Sequence, residues 1–206
     1  MDTAARKEHW ENIYQTKSLE EVSWYQKTPI TSLELIQKNT HSLNDSIIDI
    51  GGGDSFLADH LIDLGYTDIT VLDISQNAIE RAQKRLGENA AKVKWIVSDV
   101  MNFTDSKKYV IWHDRAVFHF LTNENDIQNY AAKTNENLNE GGKLIIGTFS
   151  ENGPKKCSGI EIKQYSKESL PEVFNANFHL KECFTEDHQT PFNTTQNFVF
   201  CSFSKK

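Results

Sequence analysis

The chain has 206 residues, 38% of them apolar, and a formal net charge of −7, which suits one globular domain with a sizeable core. It lacks both the roughly 18 to 20 continuous apolar residues of a membrane helix and the apolar core of a signal peptide. The negative charge and the absence of a basic run argue against a nucleic acid as a partner. We therefore expect a cytoplasmic protein that binds neither membranes nor nucleic acids.

The predicted elements begin with two helices, over residues 4–15 and 30–39. From Ile47 onwards, apolar runs alternate with amphipathic segments, which is typical of right-handed βαβ units and a parallel sheet. The predicted strands are SIIDI (46–50), DITVLDI (68–74), KVKWIVSDV (92–100), KKYVIWHD (107–114) and KLIIGTFS (143–150). The predicted helices between them cover residues 54–65, 75–87 and 123–142.

The last quarter of the chain has a different pattern. FHLKECFTEDH (178–188) and TQNFVFCSFSK (195–205) alternate like strands, and the short link between them suits an antiparallel hairpin. The turn-rich segment 150–159 follows the fifth strand, where loops of a parallel sheet line the ligand crevice. The three cysteines, Cys157, Cys183 and Cys201, form no CxxC pair, so we expect free thiols and no metal site.

A glycine-rich loop, in the segment IIDIGGGDS, follows the first strand. The dinucleotide fingerprint GxGxxG fits at Gly51 and Gly53, but its third position is Phe56. Asp54 also opens the next predicted helix, where its charge would repel a pyrophosphate. The loop therefore disfavours NAD(P) and an oxidoreductase.

Acids at three successive strand ends suit a zwitterionic ligand better. Asp49 is placed to attract an ammonium group, and amides of the glycine loop can bind a carboxylate. Asp73 can accept both hydroxyls of a ribose, and Asp99 can accept from an exocyclic amine beside Val100. Amino acid, ribose and adenine in this order describe S-adenosylmethionine. Each acid has a structural alternative, as a helix cap, a turn residue or a buried acid.

These motifs resemble those of class I S-adenosylmethionine-dependent methyltransferases. IIDIGGGDS is similar to their first motif, DxGxGxG, with Ser55 at the place of the third glycine. VLDIS, SDV and LNEGGKLIIGTF are similar to the second, third and late motifs. The resemblance implies a Rossmann-like seven-stranded, mostly parallel sheet with an antiparallel C-terminal hairpin and helices on both faces. It implies S-adenosylmethionine as cofactor and a binding site that contains Asp49, Gly51, Gly53, Asp73, Ile74, Asp99 and Val100. Trp24 and Tyr25 could cover the cofactor or could instead be an aromatic patch that closes the end of the sheet.

We expect one methyltransferase domain over residues 1–206. It comprises an N-terminal helical cap segment (1–44), a cofactor-binding core (45–150), and a substrate-side loop with the C-terminal hairpin (151–206).

The segment YVIWHDRAVFHFLT, residues 109–122, contains the candidate catalytic residues. It begins as the fourth strand, whose end faces the methyl group in the family that the chain resembles. We predict that Asp114 or His119 orients or deprotonates the acceptor and that Arg115 binds an anionic part of it. Asp114 and Arg115 could instead form a structural ion pair, and His119 could be a packed core histidine.

The acceptor follows from resemblance only. The segment is similar to thiopurine S-methyltransferases, which have WDRG here, whereas Trp112 lies one place early and Ala116 replaces the glycine. This implies a small-molecule acceptor such as a thiol or another heteroatom nucleophile. HWENIYQTKSLEEVSWYQ resembles instead the N-terminal segment of methyltransferases that modify protein lysines, so a protein substrate is the alternative. A cofactor-binding protein without catalysis is a further alternative, and the sequence assigns no role to Cys157 or His188.

Overall fold

Seven strands form the central sheet in a computed structural model that describes residues 3–206. The strands are β1 (Ile47–Ile50), β2 (Ile69–Asp73), β3 (Val93–Val97), β4 (Tyr109–Arg115), β5 (Leu138–Phe149), β6 (Lys156–Cys157), β7 (Ile160–Glu161), β8 (Phe178–Gln189) and β9 (Thr195–Lys205), of which β6 and β7 form a separate pair. The helices are α1 (Thr3–Thr16), α2 (Ile30–Asn39), α3 (Leu57–Asp63), α4 (Gln76–Leu86), α5 (Glu124–Asn137) and α6 (Ser169–Phe174). No helix within residues 3–206 is long and apolar enough to cross a bilayer.

The strand order is β3-β2-β1-β4-β5-β9-β8. The first five strands in the chain pair in parallel, and β9 lies antiparallel between β5 and β8. The sheet therefore has the predicted Rossmann-like topology with an antiparallel C-terminal hairpin. Because β1 lies between β2 and β4, the loops that leave these three strands meet at one edge of the sheet.

Two apolar cores lie on the two faces of the sheet. One core includes Ile36 of α2 and Leu61 of α3, and neither side chain is exposed to solvent. The other includes Tyr130 of α5 and Leu170 of α6, both also fully buried. The sheet is thus covered on both faces, and its parallel strands read as continuous apolar runs because both of their faces are buried.

Most element boundaries differ by one to three residues from the prediction, and two of the differences have an identifiable cause. α3 begins at Leu57 rather than Asp54, because the amide of Ser55 donates to the Gly52 carbonyl at 2.7 Å and keeps these residues in a turn. α5 ends at Asn137, and the chain enters β5 directly, with an irregular register opposite Tyr109. The two glycines lie in this irregularity, where residues 139–142 have no partner on β4 and Gly141 has a φ of 71°, so the turn signal is kept as an interruption within the strand. The sequence reading also missed α6 and the β6–β7 pair.

The expectation of three free thiols was wrong. Cys183 on β8 and Cys201 on β9 lie directly opposite each other, and a disulfide joins them. Cys157 is the free cysteine, and it is buried. The register of the C-terminal hairpin decides which cysteines meet, and the absence of a CxxC pair says nothing about it. Disulfides are uncommon in cytosolic proteins, and the cytoplasmic location stays a prediction.

Reducing this disulfide is expected to lower the free energy of unfolding by about 3 kcal/mol, because an 18-residue separation restricts the unfolded chain to that extent. Urea unfolding with and without a reductant measures the difference. Cys183→Ser provides the control, since its stability should not respond to the reductant. Equal midpoints for oxidised and reduced wild-type protein would contradict the prediction.

Candidate active site

Two adjoining cavities lie at the carboxyl ends of the parallel strands. The loop cavity is lined by the glycine loop and Asp49. The strand-end cavity is lined by Asp73, Ile74, Asp99 and Val100. The lining that both cavities share, here called the junction, consists of Tyr14, Trp24, Gly51 and Arg115.

The glycines let the loop pass between two carboxylates. A Cβ atom on Gly52 would collide with the carboxylate of Asp49, and one on Gly53 with the carboxylate of Asp73. Gly53 also has a φ of 36°, a backbone conformation that side chains disfavour. Gly52 and Gly53 are therefore required by the two acids beside the loop.

Asp73 is buried in the strand-end cavity, with an exposed fraction of 4%. One carboxylate oxygen accepts a hydrogen bond from the amide of Ser75 at 2.8 Å. Burial raises the pKa of Asp73 to about 7, and the nearby charge of Asp49 also raises it. Ser75 itself caps α4, with its hydroxyl accepting from the amide of Ala78 at 3.1 Å. Asp73 is therefore free of the capping role and can accept from a ligand hydroxyl.

Asp99 divides its two oxygens between a turn and a partner on α1. Oδ1 accepts from the amide of Met101 at 2.9 Å, and Oδ2 lies 3.2 Å from the guanidinium of Arg6. The structural alternative, a turn residue, thus holds for one oxygen of Asp99. Val100 lines the same cavity beside it.

Asp54 does not present an unpaired negative charge at the start of α3, as the sequence suggested. Arg81 lies 2.8 Å from one oxygen of Asp54, and Arg85 lies 2.5 Å from the other. The charge that was expected to repel a pyrophosphate is therefore neutralised. What still disfavours a dinucleotide is Phe56, which occupies the position where the fingerprint needs a glycine. Its ring lies 4.2 Å from the guanidinium carbon of Arg85.

The N-terminal segment covers both cavities. Trp24 lines both and Tyr25 lines the loop cavity, so the two predicted residues lie beside the site. The sequence reading missed Trp10 and Tyr14 on α1, whose rings lie 5.7 and 6.5 Å from that of Trp24. The sequence feature that could have indicated them is the spacing of the aromatic residues in HWENIY. α1 is fixed to α4 by Glu11, whose carboxylate accepts from the first amides of that helix.

Asp114 lies inside the protein and lines neither cavity. Its carboxylate accepts from the amides of Val117 and Phe118, at 3.0 and 3.2 Å, and from the hydroxyl of Tyr130. Burial raises its pKa to about 6. Within residues 3–206 no ion pair joins Asp114 to Arg115. The geometry favours a role for Asp114 in fixing the turn after β4, and its role as a base stays a prediction.

His119 and Arg115 have different surroundings. His119 is fully buried, its ring stacks on Phe149 at 4.6 Å, and burial followed by the charge of Arg115 lowers its pKa to about 3. Arg115 lies at the junction, where Nη1 donates to the carbonyl of Trp24 at 3.0 Å. Its guanidinium carbon lies 4.7 Å from the ring of Phe198. Among the catalytic candidates, Arg115 is the one that reaches the cavities.

The two residues without a predicted role lie on either side of Arg115. Cys157 lines the strand-end cavity, and burial raises the pKa of its thiol to about 12. His188 bonds to the carbonyl of Ser23 at 2.7 Å and lines neither cavity. Cys157 therefore faces the site as a neutral thiol, whereas His188 ties the C-terminal hairpin to the N-terminal segment.

A seven-stranded sheet of this order, with acids at three strand ends around two joined cavities, has the fold of the class I S-adenosylmethionine-dependent methyltransferases. A family model described as a methyltransferase domain matches residues 47–142, the segment that contains the glycine loop and the three acids.

Relatives with known names match parts of the chain. It is 25% identical over 151 residues to the eEF1A lysine and N-terminal methyltransferase of Mus musculus, covering 70% of this chain and 21% of that protein. It is 25% identical over 146 residues to malonyl-(acyl-carrier protein) O-methyltransferase 1 of Ilyobacter polytropus, covering 66% and 53%. The chain thus spans about a fifth of the length of the first relative and about half of the second.

Two solved structures share the fold over nearly the whole chain. The N-methyltransferase NodS from Bradyrhizobium japonicum WM9, in complex with S-adenosyl-L-homocysteine, has a TM-score of 0.70 at 15% identity and covers 100% of this chain and 99% of its own. A structure that describes the conversion of a disulfide bond into a thioacetal group during echinomycin biosynthesis has a TM-score of 0.79 at 18% identity. The match covers 97% of this chain and 93% of that one.

Proposed function

We propose that the protein transfers the methyl group of S-adenosylmethionine to a small-molecule acceptor with a thiol or another heteroatom nucleophile. The observation that supports this most is the junction, which lies between a cavity suited to an amino acid and a cavity suited to an adenosine. The sulfonium of the cofactor joins these two halves, so it belongs at the junction. Aromatic rings favour such a cationic centre, and Tyr14 and Trp24 supply them.

When bound, the cofactor supplies a methyl group that is already activated for in-line displacement by a nucleophile. The task of the protein is to bind and align the acceptor and to exclude water. Asp73 and Asp99 serve the nucleoside half in this proposal, and Asp49 serves the ammonium group. Trp10 and Trp24, in edge contact at 5.7 Å, both line the strand-end cavity and favour a small acceptor over a protein surface.

The lining of the cavities favours an acceptor that is nucleophilic without a protein base. His119 does not reach either cavity, and its lowered pKa makes it a weak base. Cys157 reaches the strand-end cavity, but its raised pKa keeps it protonated at neutral pH. A thiolate or a neutral amine needs no proton removed at the moment of transfer. This supports the thiol class, with Arg115 binding an anionic part of the molecule.

The free edge of Arg115 supports a carboxylate as that anion. Nε and Nη2 are buried and have no hydrogen-bond partner in the part of the chain that the structure describes. These two nitrogens form the side of a guanidinium that binds both oxygens of one carboxylate. The other arginines that line the cavities, Arg6 and Arg81, pair with Asp99 and Asp54.

Arg115→Met is therefore expected to reduce kcat/KM for a carboxylate-bearing thiol at least tenfold more than for the corresponding amide. The loss of a charge-assisted pair, about 1.5 to 3 kcal/mol, corresponds to that factor. Arg115→Lys keeps the charge but lacks the paired nitrogens, so it should recover only part of the difference. Equal losses of kcat/KM for the acid and the amide would show that Arg115 does not bind the carboxylate.

A methylation screen with a methyl-labelled donor tests the proposed function. Small thiols, amines and phenols are offered alongside lysate proteins, and the products are separated by size. We expect label in the small-molecule fraction, with thiols as the best acceptors. Label confined to protein bands would contradict a small-molecule acceptor.

A protein-lysine methyltransferase is the second candidate. It is favoured by the match to the eEF1A lysine and N-terminal methyltransferase and by Trp24 and Tyr25 beside the site. A groove next to the strand-end cavity is lined by Asp126 and Glu161, whose charges suit a basic peptide. The same screen distinguishes this candidate, because the label would then depend on a lysine in the protein acceptor.

A further inference from the structure

Three buried side chains link α2 to the start of the glycine loop. Nδ1 of His113 lies 2.7 Å from Oδ1 of Asp49, and Nε2 lies 2.9 Å from the hydroxyl of Ser32. The exposed fractions are 1% for Ser32, 2% for His113 and 4% for Asp49. All three side chains line the loop cavity. They come from α2, β4 and β1, so three separate elements contribute to one chain of hydrogen bonds.

The chemistry of the three groups fixes the direction of these bonds. A carboxylate only accepts, so Nδ1 of His113 donates its proton to Asp49. The hydroxyl of Ser32 can then donate to Nε2, which sets one tautomer of the ring. Oδ1 of Asp49 is thereby occupied and held, whereas Oδ2 lies against Gly52 of the loop. The carboxylate cannot rotate without losing the bond to His113.

We propose that His113 and Ser32 are positioning residues that hold the Asp49 carboxylate towards the ammonium group of the cofactor. This rests on the proposed function, because it takes the loop cavity as the site of the methionine half. Second-layer partners of this kind orient ligand-binding groups in other sites. Ser32 lies 81 residues from His113 in the sequence, and none of the motifs described above includes it.

The connectivity matches that of a Ser-His-Asp triad for acyl transfer, which is recognised by geometry rather than by sequence. A nucleophile must be reached by a carbonyl carbon, however, and Ser32 is 1% exposed within α2. The positioning role therefore accounts for the burial of all three groups better than a nucleophilic role does. A nucleophilic Ser32 would be labelled covalently by a fluorophosphonate, whereas a Ser32 that only positions His113 would not.

Calorimetry with two ligands tests the proposal. S-adenosylhomocysteine has the amino-acid half, and 5′-methylthioadenosine lacks it. His113→Leu is expected to weaken S-adenosylhomocysteine binding at least tenfold while methylthioadenosine binding falls less than threefold. His113→Asn keeps a donor close to the position of Nδ1 and should recover most of the affinity. Ser32→Ala removes only the outer bond and should cost less than His113→Leu.

His188→Leu is the matched control. His188 is also a buried histidine with a hydrogen-bond partner, but it lines neither cavity. Its replacement should leave the ratio of the two affinities at the wild-type value. Nitrogen-15 spectra of His113 provide a readout that does not depend on a ligand, and we expect the tautomer with the proton on Nδ1.

Three results would overturn the proposal: equal loss of both ligands in His113→Leu, the tautomer with the proton on Nε2, or covalent labelling of Ser32 by a fluorophosphonate. Failure of the proposed function looks different. In that case wild-type protein would bind neither ligand, or would bind both and methylate no acceptor.

Discussion

Asp73→Ala is expected to weaken the binding of S-adenosylhomocysteine at least tenfold. The carboxylate lies in the strand-end cavity with one oxygen bonded to the Ser75 amide, and it can accept from the two ribose hydroxyls. Charge-assisted hydrogen bonds contribute about 1.5 to 3 kcal/mol each, and ~1.4 kcal/mol corresponds to a factor of ten in affinity. Calorimetric titration measures the change, and thermal unfolding without ligand shows whether the variant is folded. Unchanged affinity would return Asp73 to a structural role.

The affinity for S-adenosylhomocysteine should also depend on pH through the ionisation of Asp73. The pKa of Asp73 in the free protein is raised to about 7 by burial, so the carboxyl is largely protonated below that pH. Ribose hydroxyls donate better to the ionised form, so binding below pH 7 releases a proton and affinity falls as the pH is lowered. Titrations at pH 6 in buffers of different ionisation enthalpy count this proton. Asp73→Asn, which cannot ionise, should release no proton from this position.

The raised pKa also affects folding without ligand. The folded state holds the proton of Asp73 more tightly than the unfolded chain does. This contribution to stability is fully present below the ordinary pKa of 3.8 and is lost as the pH rises through about 7. Bound cofactor should offset the loss, because it interacts with the ionised form.

Asp114→Ala is expected to lower the free energy of unfolding by about 3 kcal/mol or more, since it leaves three buried donors without an acceptor. The donors are the amides of Val117 and Phe118 and the hydroxyl of Tyr130. Urea unfolding measures the loss. Tyr130→Phe leaves one buried donor, the indole N–H of Trp112, without its acceptor, and should therefore cost less than the loss of three acceptor bonds.

Asp114→Asn separates the structural role from the catalytic one. The amide keeps an oxygen for the two backbone donors but cannot act as a base, so we expect turnover of the folded variant to fall less than tenfold. A general base contributes about a hundredfold to ten-thousandfold. A loss of that size at unchanged melting temperature would contradict our account and restore Asp114 as the base.

The sheet could be predicted because its signals are local. The apolar runs that begin at Ile47, Ile69 and Tyr109 alternate with amphipathic helices, and each helix covers the strands beside it. The boundaries that were wrong depend on distant partners. β5 begins at Leu138 because β4 pairs with it, and Cys183 meets Cys201 because of the register of the C-terminal hairpin. Neither pairing can be read from the spacing of residues along the chain.

The candidate site could be predicted where a residue and the strand that positions it belong to the same motif. Asp49 and Asp73 belong to motifs that begin in a strand, and both lie near its carboxyl end, so their place in the sheet followed from the topology. Ser32 and Tyr14 come from the N-terminal segment and reach the site only through its docking. For Asp114 the sequence could not supply the surroundings, because an acid at a strand end gives the same pattern whether it points into a cavity or, as here, is bonded beneath a turn.

The central claim is that the two joined cavities bind S-adenosylmethionine. Calorimetric titration of the wild-type protein with S-adenosylhomocysteine, and separately with NADH, tests it most directly. We predict one tight site for S-adenosylhomocysteine and no heat of binding for NADH. Tight binding of NADH with no response to S-adenosylhomocysteine would contradict the account.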